Sequence, residues 1–333
     1  MKKPLIVLFI VLAASASFFL YYRNDLFFKQ PQDHQLPKTK PLEKYTIENL
    51  ANTTFSPSKI TIGEVIKQDP KFTSRYFYFT AESKKVSGLV NIPTKAGTYP
   101  IIEMNRGYID KDKYQTGVGT QHTAEVFAQN GFITLAPDFL GFGQSDSAAV
   151  DTFEDRFQTC TTVLSLLASL PNLNQALATL GQIKADPDKV FLWGHSNGGQ
   201  ITLTVLEITG KPYPTVLWAP VGKPFPYSIL YYTDDSEDHG KALRKVLANF
   251  EQDYDVENYS LTNFLNRIKA PIQLHQGTAD ESVPISWSNL FVQELKKQNI
   301  DVTYFTYPDE DHNFDKGSWN TIVERNIDFY RSF

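Results

Sequence analysis

Residues 190–200, VFLWGHSNGGQ, pass from four bulky apolar residues directly into a serine flanked by glycines. Within them, GHSNG at 194–198 has the spacing G-x-S-x-G, and a helical stretch at 200–207 follows. A serine at a tight turn between a strand and a helix has a strained backbone and an exposed hydroxyl, and the flanking glycines let strand and helix approach. The stretch alone leaves open whether Ser196 is a nucleophile or an ordinary residue of a glycine turn.

Apolar runs and helical patterns alternate along the chain. Residues 75–80 and 86–92 predict an antiparallel hairpin at the start of the folded body. Runs typical of parallel strands buried on both faces follow at 99–104, 132–136, 190–193, 215–218, 271–275 and 302–307. Helical patterns lie at 121–130, 152–170, 174–182, 197–209, 285–298 and 317–332. The alternation predicts an α/β fold, a mostly parallel sheet with helices on both faces.

Two segments interrupt this alternation. Residues 221–268 are rich in Tyr, Asp and Pro, with one helical pattern near 241–250, which predicts a helical lid inserted in a catalytic domain at 44–333. Residues 24–43 contain three prolines and no hydrophobic period, so we interpret them as a linker.

The N-terminal segment, 1–23, indicates export. Its residues 4–22 carry no charge, and two lysines precede them. As a helix these 19 residues would extend for roughly 28 Å, which is the hydrocarbon thickness of a bilayer. We expect a transmembrane anchor with the catalytic domain outside the cytoplasm. The alternative is a cleaved signal peptide and a secreted protein, since residues 14–16, ASA, match a signal cleavage pattern.

The composition excludes several classes of partner and cofactor. Lys and Arg total 32 against 37 Asp and Glu, without a basic block, so nucleic acid is not an expected partner. The single cysteine, Cys160, excludes an intrachain disulfide and a cysteine-based metal cluster. No histidine and carboxylate cluster has ligand spacing, and we expect neither a metal nor an organic cofactor.

A serine hydroxyl becomes a good nucleophile when a histidine takes its proton and a carboxylate orients that histidine. His312 lies in a polar loop after the last predicted strand, and Asp280 lies in the loop after the preceding one. Side chains of both loops can reach the carboxyl edge of the sheet. The other histidines lie in the linker, at a helix start, inside the glycine turn, in the lid and within a strand: His34, His122, His195, His239 and His275. The ring of His195 is expected to point away from the nucleophile.

Some neighbours of these residues have alternative interpretations. Glu281, adjacent to Asp280, is a second candidate for the orienting acid. Asp309 and Asp311, beside the candidate histidine, are interpreted as solvated loop charges. His275 is interpreted as a packed, hydrogen-bonded histidine of a strand.

Acyl transfer also requires donors for the negative charge that develops on the carbonyl oxygen. We expect one donor to be the backbone N–H of Asn197, immediately after the nucleophile. The second is expected from the loop 105–108, NRGY, at the N–H of Tyr108. Gly107 would let this backbone approach the substrate. The Tyr108 hydroxyl either adds a hydrogen bond or forms a wall of the pocket.

Five motifs in this order resemble the α/β-hydrolase superfamily, and within it the catalytic domain of the prolyl oligopeptidase family of serine peptidases and dienelactone-hydrolase-like proteins. The motifs are NRGY at 105–108, DFLGFGQS at 138–145, ADPDKV at 185–190 leading into the glycine turn, HQGTADESVP at 275–284 and YPDEDHNF at 307–314. The resemblance covers 75–333. It implies that Ser196 is the nucleophile, Asp280 the orienting acid and His312 the general base.

The chain departs from the family pattern at three points. Arg106 stands where a His-Gly pair is usual, and Leu140 stands where an arginine is usual, which puts the packing beneath the loop 105–108 in question. The residues before the catalytic domain are too few for the β-propeller that peptidases of the family often carry. The resemblance therefore supports serine hydrolysis more strongly than it supports peptide substrates.

We expect a serine hydrolase that acts through an acyl-enzyme on short peptides, or alternatively a carboxylesterase that acts on small-molecule esters. A non-catalytic binding module on the same fold is the alternative from another class. Tyrosines and acids of the lid are expected to decide between peptide and ester substrates. Acids near the site would suit the free amino group of a peptide. The alternative interpretation is that these acids form a solvated loop. The lid residues concerned are Tyr227, Tyr231, Tyr232, Asp234, Asp235, Glu237 and Asp238.

Overall fold

A computed structural model of the chain describes residues 39–234 and 236–333. The strands of this part form one sheet: β1 Thr61–Gln68, β2 Phe72–Ala81, β3 Lys84–Pro93, β4 Gly97–Asn105, β5 Ile133–Pro137, β6 Ile183–His195, β7 Thr215–Trp218, β8 Ile272–Gly277 and β9 Val302–Tyr307. Their order is β1-β2-β3-β5-β4-β6-β7-β8-β9. The pairs among β1, β2, β3 and β5 are antiparallel, and those from β5 through β4 to β9 are parallel. The predicted hairpin and mostly parallel sheet are confirmed.

Helices cover both faces of this sheet. They are α1 Ile47–Ala51, α2 Gln121–Gln129, α3 Thr152–Ser169, α4 Leu173–Leu177, α5 Asn197–Thr209, α6 Tyr227–Leu230, α7 Lys241–Phe250, α8 Ile285–Lys297 and α9 Trp319–Arg331. The core forms separate layers on the two faces of the sheet because successive side chains of a strand point to opposite faces. In β4, Ile101 packs in the layer beneath α3, α5 and α8. Its neighbour Ile102 packs in the layer beneath α2 and α9.

Three elements differ from the sequence prediction. Strand β1 and helix α1 were not predicted. Most of β1 is exposed at the edge of the sheet, so it lacks the apolar run by which the other strands were found. The predicted helix at 174–182 is shorter, since α4 gives way to a 3-10 turn at Ala178–Leu180 before β6 begins.

The segment 221–268 is helical, as predicted. It contains α6, α7 and 3-10 turns at Tyr231–Thr233, Val256–Tyr259, Leu261–Asn263 and Leu265–Arg267. Its Phe225, Phe250 and Tyr259 pack against Phe157 of α3, with ring centroids 4.8–6.2 Å apart. The lid is therefore attached to the main body through an aromatic cluster.

The predicted anchor at 1–23 lies outside the described residues. Among the residues that are described, one stretch is long and apolar enough to cross a membrane, Thr152–Leu180, with a mean hydropathy of 1.2. It contains α3, and half of its most apolar 18-residue window is buried inside the protein.

Candidate active site

Ser196 lies at the turn between β6 and α5 in a strained conformation. Its φ is 56° and its ψ is −121°, which a residue with a side chain rarely adopts. A side chain at Gly198 would overlap the carbonyl oxygen of Asn105, and one at Gly194 would meet the Thr202 hydroxyl at 2.5 Å. The two glycines therefore allow the tight turn, as predicted for a nucleophile elbow.

His312 and Asp280 come together at the edge of the sheet where the carboxyl ends of its parallel strands lie. Strands β8 and β9 are parallel neighbours, so the loops that follow them begin at this edge. His312 Nδ1 lies 2.8 Å from Asp280 Oδ2. The side chain of Asp280 is fully buried and that of His312 is 18% exposed, so the acid lies behind the histidine.

Every lone-pair direction of the Asp280 carboxylate is used. Its Oδ1 accepts hydrogen bonds from the N–H groups of Ser282 and Val283, at 2.9 and 2.8 Å. Its Oδ2 accepts from Gln276 Nε2 at 2.9 Å and faces His312. Burial disfavours the charged carboxylate and would raise its pKa. The hydrogen bond and charge of His312, together with the hydrogen bonds from the other donors, outweigh burial and hold the pKa of Asp280 below its ordinary value. The group stays an anion at neutral pH.

A cavity of about 650 Å³ opens beside the nucleophile, and Ser196, His312, Tyr108 and Asn197 all line it. Among the described residues, the N–H groups of Tyr108 and Asn197 donate to no backbone or side-chain acceptor. A Cβ atom at Gly107 would lie 3.1 Å from the Cβ of Ser196, so the loop 105–108 passes directly over the nucleophile. The predicted site residues are thus brought together.

The Tyr108 side chain forms a wall of the cavity. Its hydroxyl donates to Asp110 at 3.0 Å, and the residue is 77% exposed. Of the two interpretations of this tyrosine, the structure supports the wall.

The structure places the ring of His195 against the loop that carries His312. The centroids of the two rings lie 4.6 Å apart. His195 Nε2 is 2.9 Å from the His312 carbonyl oxygen, and so donates a hydrogen bond that supports the histidine loop. Burial lowers the pKa of His195 to about 3, so the ring is neutral. The variable position of G-x-S-x-G carries no sequence signal for this contact.

The alternative candidates lie elsewhere. His275 is buried and bonded to Tyr307, Gln273 and Asn326, at 2.7–2.9 Å, which confirms the prediction of a packed strand histidine. Glu281 is exposed and makes no described contact with His312. Asp309 is exposed, as expected.

Asp311 is partly exposed, in keeping with its prediction as a solvated loop charge. Its Oδ1 also accepts from the N–H groups of Asn313 and Asp315, so it shapes the loop that carries His312.

The side chain of Arg106 lies at the centre of the packing beneath the loop 105–108. Its guanidinium is buried and lies 4.2–5.3 Å from the ring centroids of Phe142, Tyr114 and Phe139. It donates to the carbonyl oxygens of Gly107 and Asp138, at 3.0 and 3.2 Å. The arginine therefore holds the loop through cation–π and hydrogen-bond contacts in place of the usual histidine. Leu140 is a buried core residue.

The lid contributes little charge to the cavity. Tyr232 lines it, while Tyr227 and Tyr231 pack against Trp287. Asp234 pairs with Arg244 at 2.6 Å.

The other described acids of the lid also do not line the cavity. Asp238 caps the start of α7 by accepting from the N–H groups of Gly240 and Ala242. Glu237 is exposed, and Asp235 lies outside the described residues. The described acids thus form a solvated loop, as one of the two interpretations predicted.

Sequence reasoning missed Arg156. This residue of α3 lines the cavity beside Ser196, and its guanidinium contacts side chains of α5. A contact between two helices 40 residues apart leaves no local pattern in the sequence.

The mostly parallel sheet with helices on both faces is an α/β-hydrolase fold. The sequence model of the prolyl oligopeptidase family matches residues 119–331, and the chain belongs to that family. The expected class, a serine hydrolase, is confirmed by this family membership.

Among curated relatives, an uncharacterized peptidase, YtmA, from Bacillus subtilis (strain 168) is 27% identical over 256 residues, which cover 74% of this chain and 89% of the relative. Dipeptidyl peptidase family member 6 from Caenorhabditis elegans is 30% identical over 136 residues, but these cover 38% of this chain and 18% of that protein.

Solved structures share the fold at low identity. A puromycin-hydrolyzing peptidase from Mycobacterium tuberculosis superimposes with a TM-score of 0.57 and 18% identity over 80% of this chain; the match spans 40% of that peptidase. An acetyl xylan esterase from Paenibacillus sp. R4 gives a TM-score of 0.58 and 15% identity, covering 86% of this chain and 92% of the esterase. Peptidases and esterases thus share this fold.

Proposed function

We propose that Ser196, His312 and Asp280 form the catalytic triad of this hydrolase. The observation that carries the proposal is the 2.8 Å contact between His312 Nδ1 and Asp280 Oδ2 beside the cavity that Ser196 and His312 line together. Since Nδ1 is bonded to the acid, Nε2 is the ring nitrogen left to accept the serine proton.

In the proposed mechanism, Ser196 Oγ attacks the substrate carbonyl carbon while its proton passes to His312 Nε2. The N–H groups of Tyr108 and Asn197 stabilise the oxyanion, and the loss of one such donor typically costs about 3 kcal/mol of barrier. His312 then returns the proton to the leaving amine or alcohol, and an acyl-enzyme remains. A water molecule, deprotonated by the same histidine, releases the acid and regenerates the serine.

The preferred substrate class is short peptides, cleaved by a serine-type peptidase. Membership of the prolyl oligopeptidase family and the likeness to the Bacillus peptidase over most of both chains support this choice.

Ester hydrolysis is the second candidate, and a feature of the cavity favours it. None of the described residues that line the cavity is Asp or Glu, so no described carboxylate there would pair with the amino group of a peptide. Turnover of p-nitrophenyl acyl esters should be compared with that of aminoacyl p-nitroanilides. If esters alone turn over, the peptidase assignment is wrong.

Labelling by a fluorophosphonate tests the nucleophile directly. The wild-type protein is expected to react, and Ser196→Ala is expected to lose all labelling because the probe phosphonylates an activated serine hydroxyl. Ser282→Ala is the matched control, since Ser282 lines the same cavity. Equal labelling of wild type and Ser196→Ala would contradict the proposal.

We further propose that residues 1–23 anchor the enzyme to a membrane with its catalytic domain outside the cytoplasm. The uncharged run at 4–22 after two lysines supports an anchor. Full-length protein should stay in the membrane fraction after a carbonate wash. Release of a shortened chain would instead indicate signal cleavage.

A further inference from the structure

Arg156 places a positive charge beside the nucleophile. Its Nη2 donates to Gln200 Oε1 at 2.7 Å and lies 3.4 Å from Asn197 Oδ1. Asn197 and Gln200 are one and four residues after Ser196 on α5. Arg156 also lines an adjoining cavity of about 340 Å³, which shares Tyr108 and Asn197 with the cavity around the nucleophile. Arg156 is thus a lining residue that the two cavities share.

No described carboxylate neutralises this charge. Arg156 forms no ion pair with the described residues, and both of its acceptors are neutral amide oxygens. Its helix neighbour Asp155 is paired with Lys111, at 3.6 Å. Burial lowers the pKa of Arg156 to about 10, so the group is still a cation at neutral pH. A partly desolvated cation without a counterion is costly for a protein to keep.

Hydrogen bonds position the guanidinium of Arg156 and leave some of its N–H groups without a described acceptor. Gln200 Nε2 donates to the hydroxyl of Ser228, a lid residue, so the oxygen of the same amide is directed to Arg156. One nitrogen, Nη2, makes both hydrogen bonds of Arg156. The remaining N–H groups have no described acceptor, and the residue lines both cavities, so these donors can bind a ligand.

We infer that Arg156 determines specificity by binding a carboxylate group carried by the substrate. This inference rests on the proposed hydrolytic function of Ser196. The planar fork of a guanidinium matches the two oxygens of a carboxylate, and the substrate anion supplies the missing counterion. For a peptide the group is the C-terminal carboxylate or an acidic side chain; for an ester it is a free acid on the acyl or alcohol portion.

The test compares matched neutral and anionic esters. On the acyl side these are p-nitrophenyl butyrate and the p-nitrophenyl half-ester of glutaric acid; on the leaving-group side they are methyl 4-acetoxybenzoate and 4-acetoxybenzoate. Arg156→Gln is expected to lower kcat/KM about 10- to 100-fold for one of the anionic esters, the scale of a charge-assisted hydrogen bond, and to leave the neutral esters within about twofold. Arg156→Lys should recover part of the loss, because it restores the charge without the fork.

One control variant and two distinct outcomes separate this inference from the proposed function. Arg331→Gln removes an exposed arginine at the end of α9 and should behave as wild type. Wild-type protein that hydrolyses none of the esters and resists fluorophosphonate would overturn the proposed function. Wild-type turnover of the neutral esters, with both members of each pair reduced equally in Arg156→Gln, would overturn the carboxylate assignment alone.

A binding measurement gives an independent readout. Free glutarate is expected to slow fluorophosphonate labelling of wild-type protein and to have no effect on Arg156→Gln, whose labelling in the absence of glutarate should remain intact. Protection by inorganic phosphate with none by glutarate would show that the site prefers a different oxyanion, and would overturn the assignment.

Discussion

Asp280 and Glu207 are both buried carboxyl groups, but their surroundings are opposite. Asp280 lies in the loop after β8 with hydrogen-bond partners on both oxygens. Glu207 lies near the C-terminal end of α5, and neither of its side-chain oxygens has a partner among the described residues. The pKa of Asp280 is held below its ordinary value, whereas burial raises the pKa of Glu207 well above its own.

This contrast shows that donors, rather than depth alone, set the charge of a buried carboxyl. The triad acid must be an anion to orient a histidine and stabilise the imidazolium that forms. Strand β8 and the loop after it supply its donors from Gln276, Ser282 and Val283. Glu207 has no such loop, and burial raises its pKa well above its ordinary value although the charge of Arg267 acts in the opposite direction.

The largest effect is expected from Asp280→Asn, which removes the charged carboxylate of the two buried carboxyl groups compared above. The amide cannot stabilise imidazolium or hold the required tautomer, so kcat should fall by roughly 10⁴-fold. Hydrolysis of a p-nitrophenyl ester measures this. The control is Glu281→Gln at the adjacent exposed position, which should keep wild-type activity. An equal loss in Glu281→Gln would instead assign the orienting role to Glu281.

Much of the fold was predictable because buried parallel strands are continuous apolar runs. Strands β4 to β8 were found in this way, whereas β1, with mostly exposed residues, was not. The strand at 302–307 was also found from its apolar run, but the expectation that it is buried on both faces was wrong, since Tyr307 is its one buried residue. The position of β1 depends on pairing with β2 at the edge of the sheet, and the register contains two irregularities. Pairing at an exposed edge leaves no strong hydrophobic pattern in the sequence.

The part of the candidate site that follows from the order of motifs along the chain could be predicted. The contacts that depend on how separate elements pack could not. Ser196, Asp280 and His312 each follow a strand, so the order of motifs was enough to bring them to one edge. The contacts of Arg156 with α5 and of His195 with the His312 loop depend on how separate elements pack. An arginine on a helix and a histidine in a turn are compatible with many other arrangements.

An intermediate effect is expected from Gln276→Leu, which removes one donor from Asp280. The free energy of unfolding at pH 7 should fall by about 2 kcal/mol, the scale of a hydrogen bond to a charged group. Because the folded pKa of Asp280 is depressed, its stabilisation is present above the unfolded value and is lost as the pH falls through the folded pKa.

The deficit of Gln276→Leu should therefore shrink as the pH falls through the depressed folded pKa of Asp280, where the wild-type carboxyl also takes up a proton. Urea unfolding at pH 7 and at pH 3 measures this difference. Gln298→Leu, at an exposed position after α8, is the matched control. A deficit of equal size at both pH values would show that the glutamine acts through packing and not through the charge of Asp280.

The smallest effect, opposite in sign, is expected from Glu207→Met. A carboxyl whose folded pKa is raised binds its proton more tightly in the folded state, so it costs stability as the pH rises above the unfolded value. Removing it should increase the free energy of unfolding at pH 8 by about 1 kcal/mol, since a buried polar group without a partner is lost. The gain should be smaller at pH 4.5, and catalytic activity should not change. Glu324→Met, at an exposed position of α9, is the control for added hydrophobicity. A loss of stability in Glu207→Met at pH 8 would mean that Glu207 is a stabilised anion like Asp280, and that the contrast between the two carboxyls is wrong.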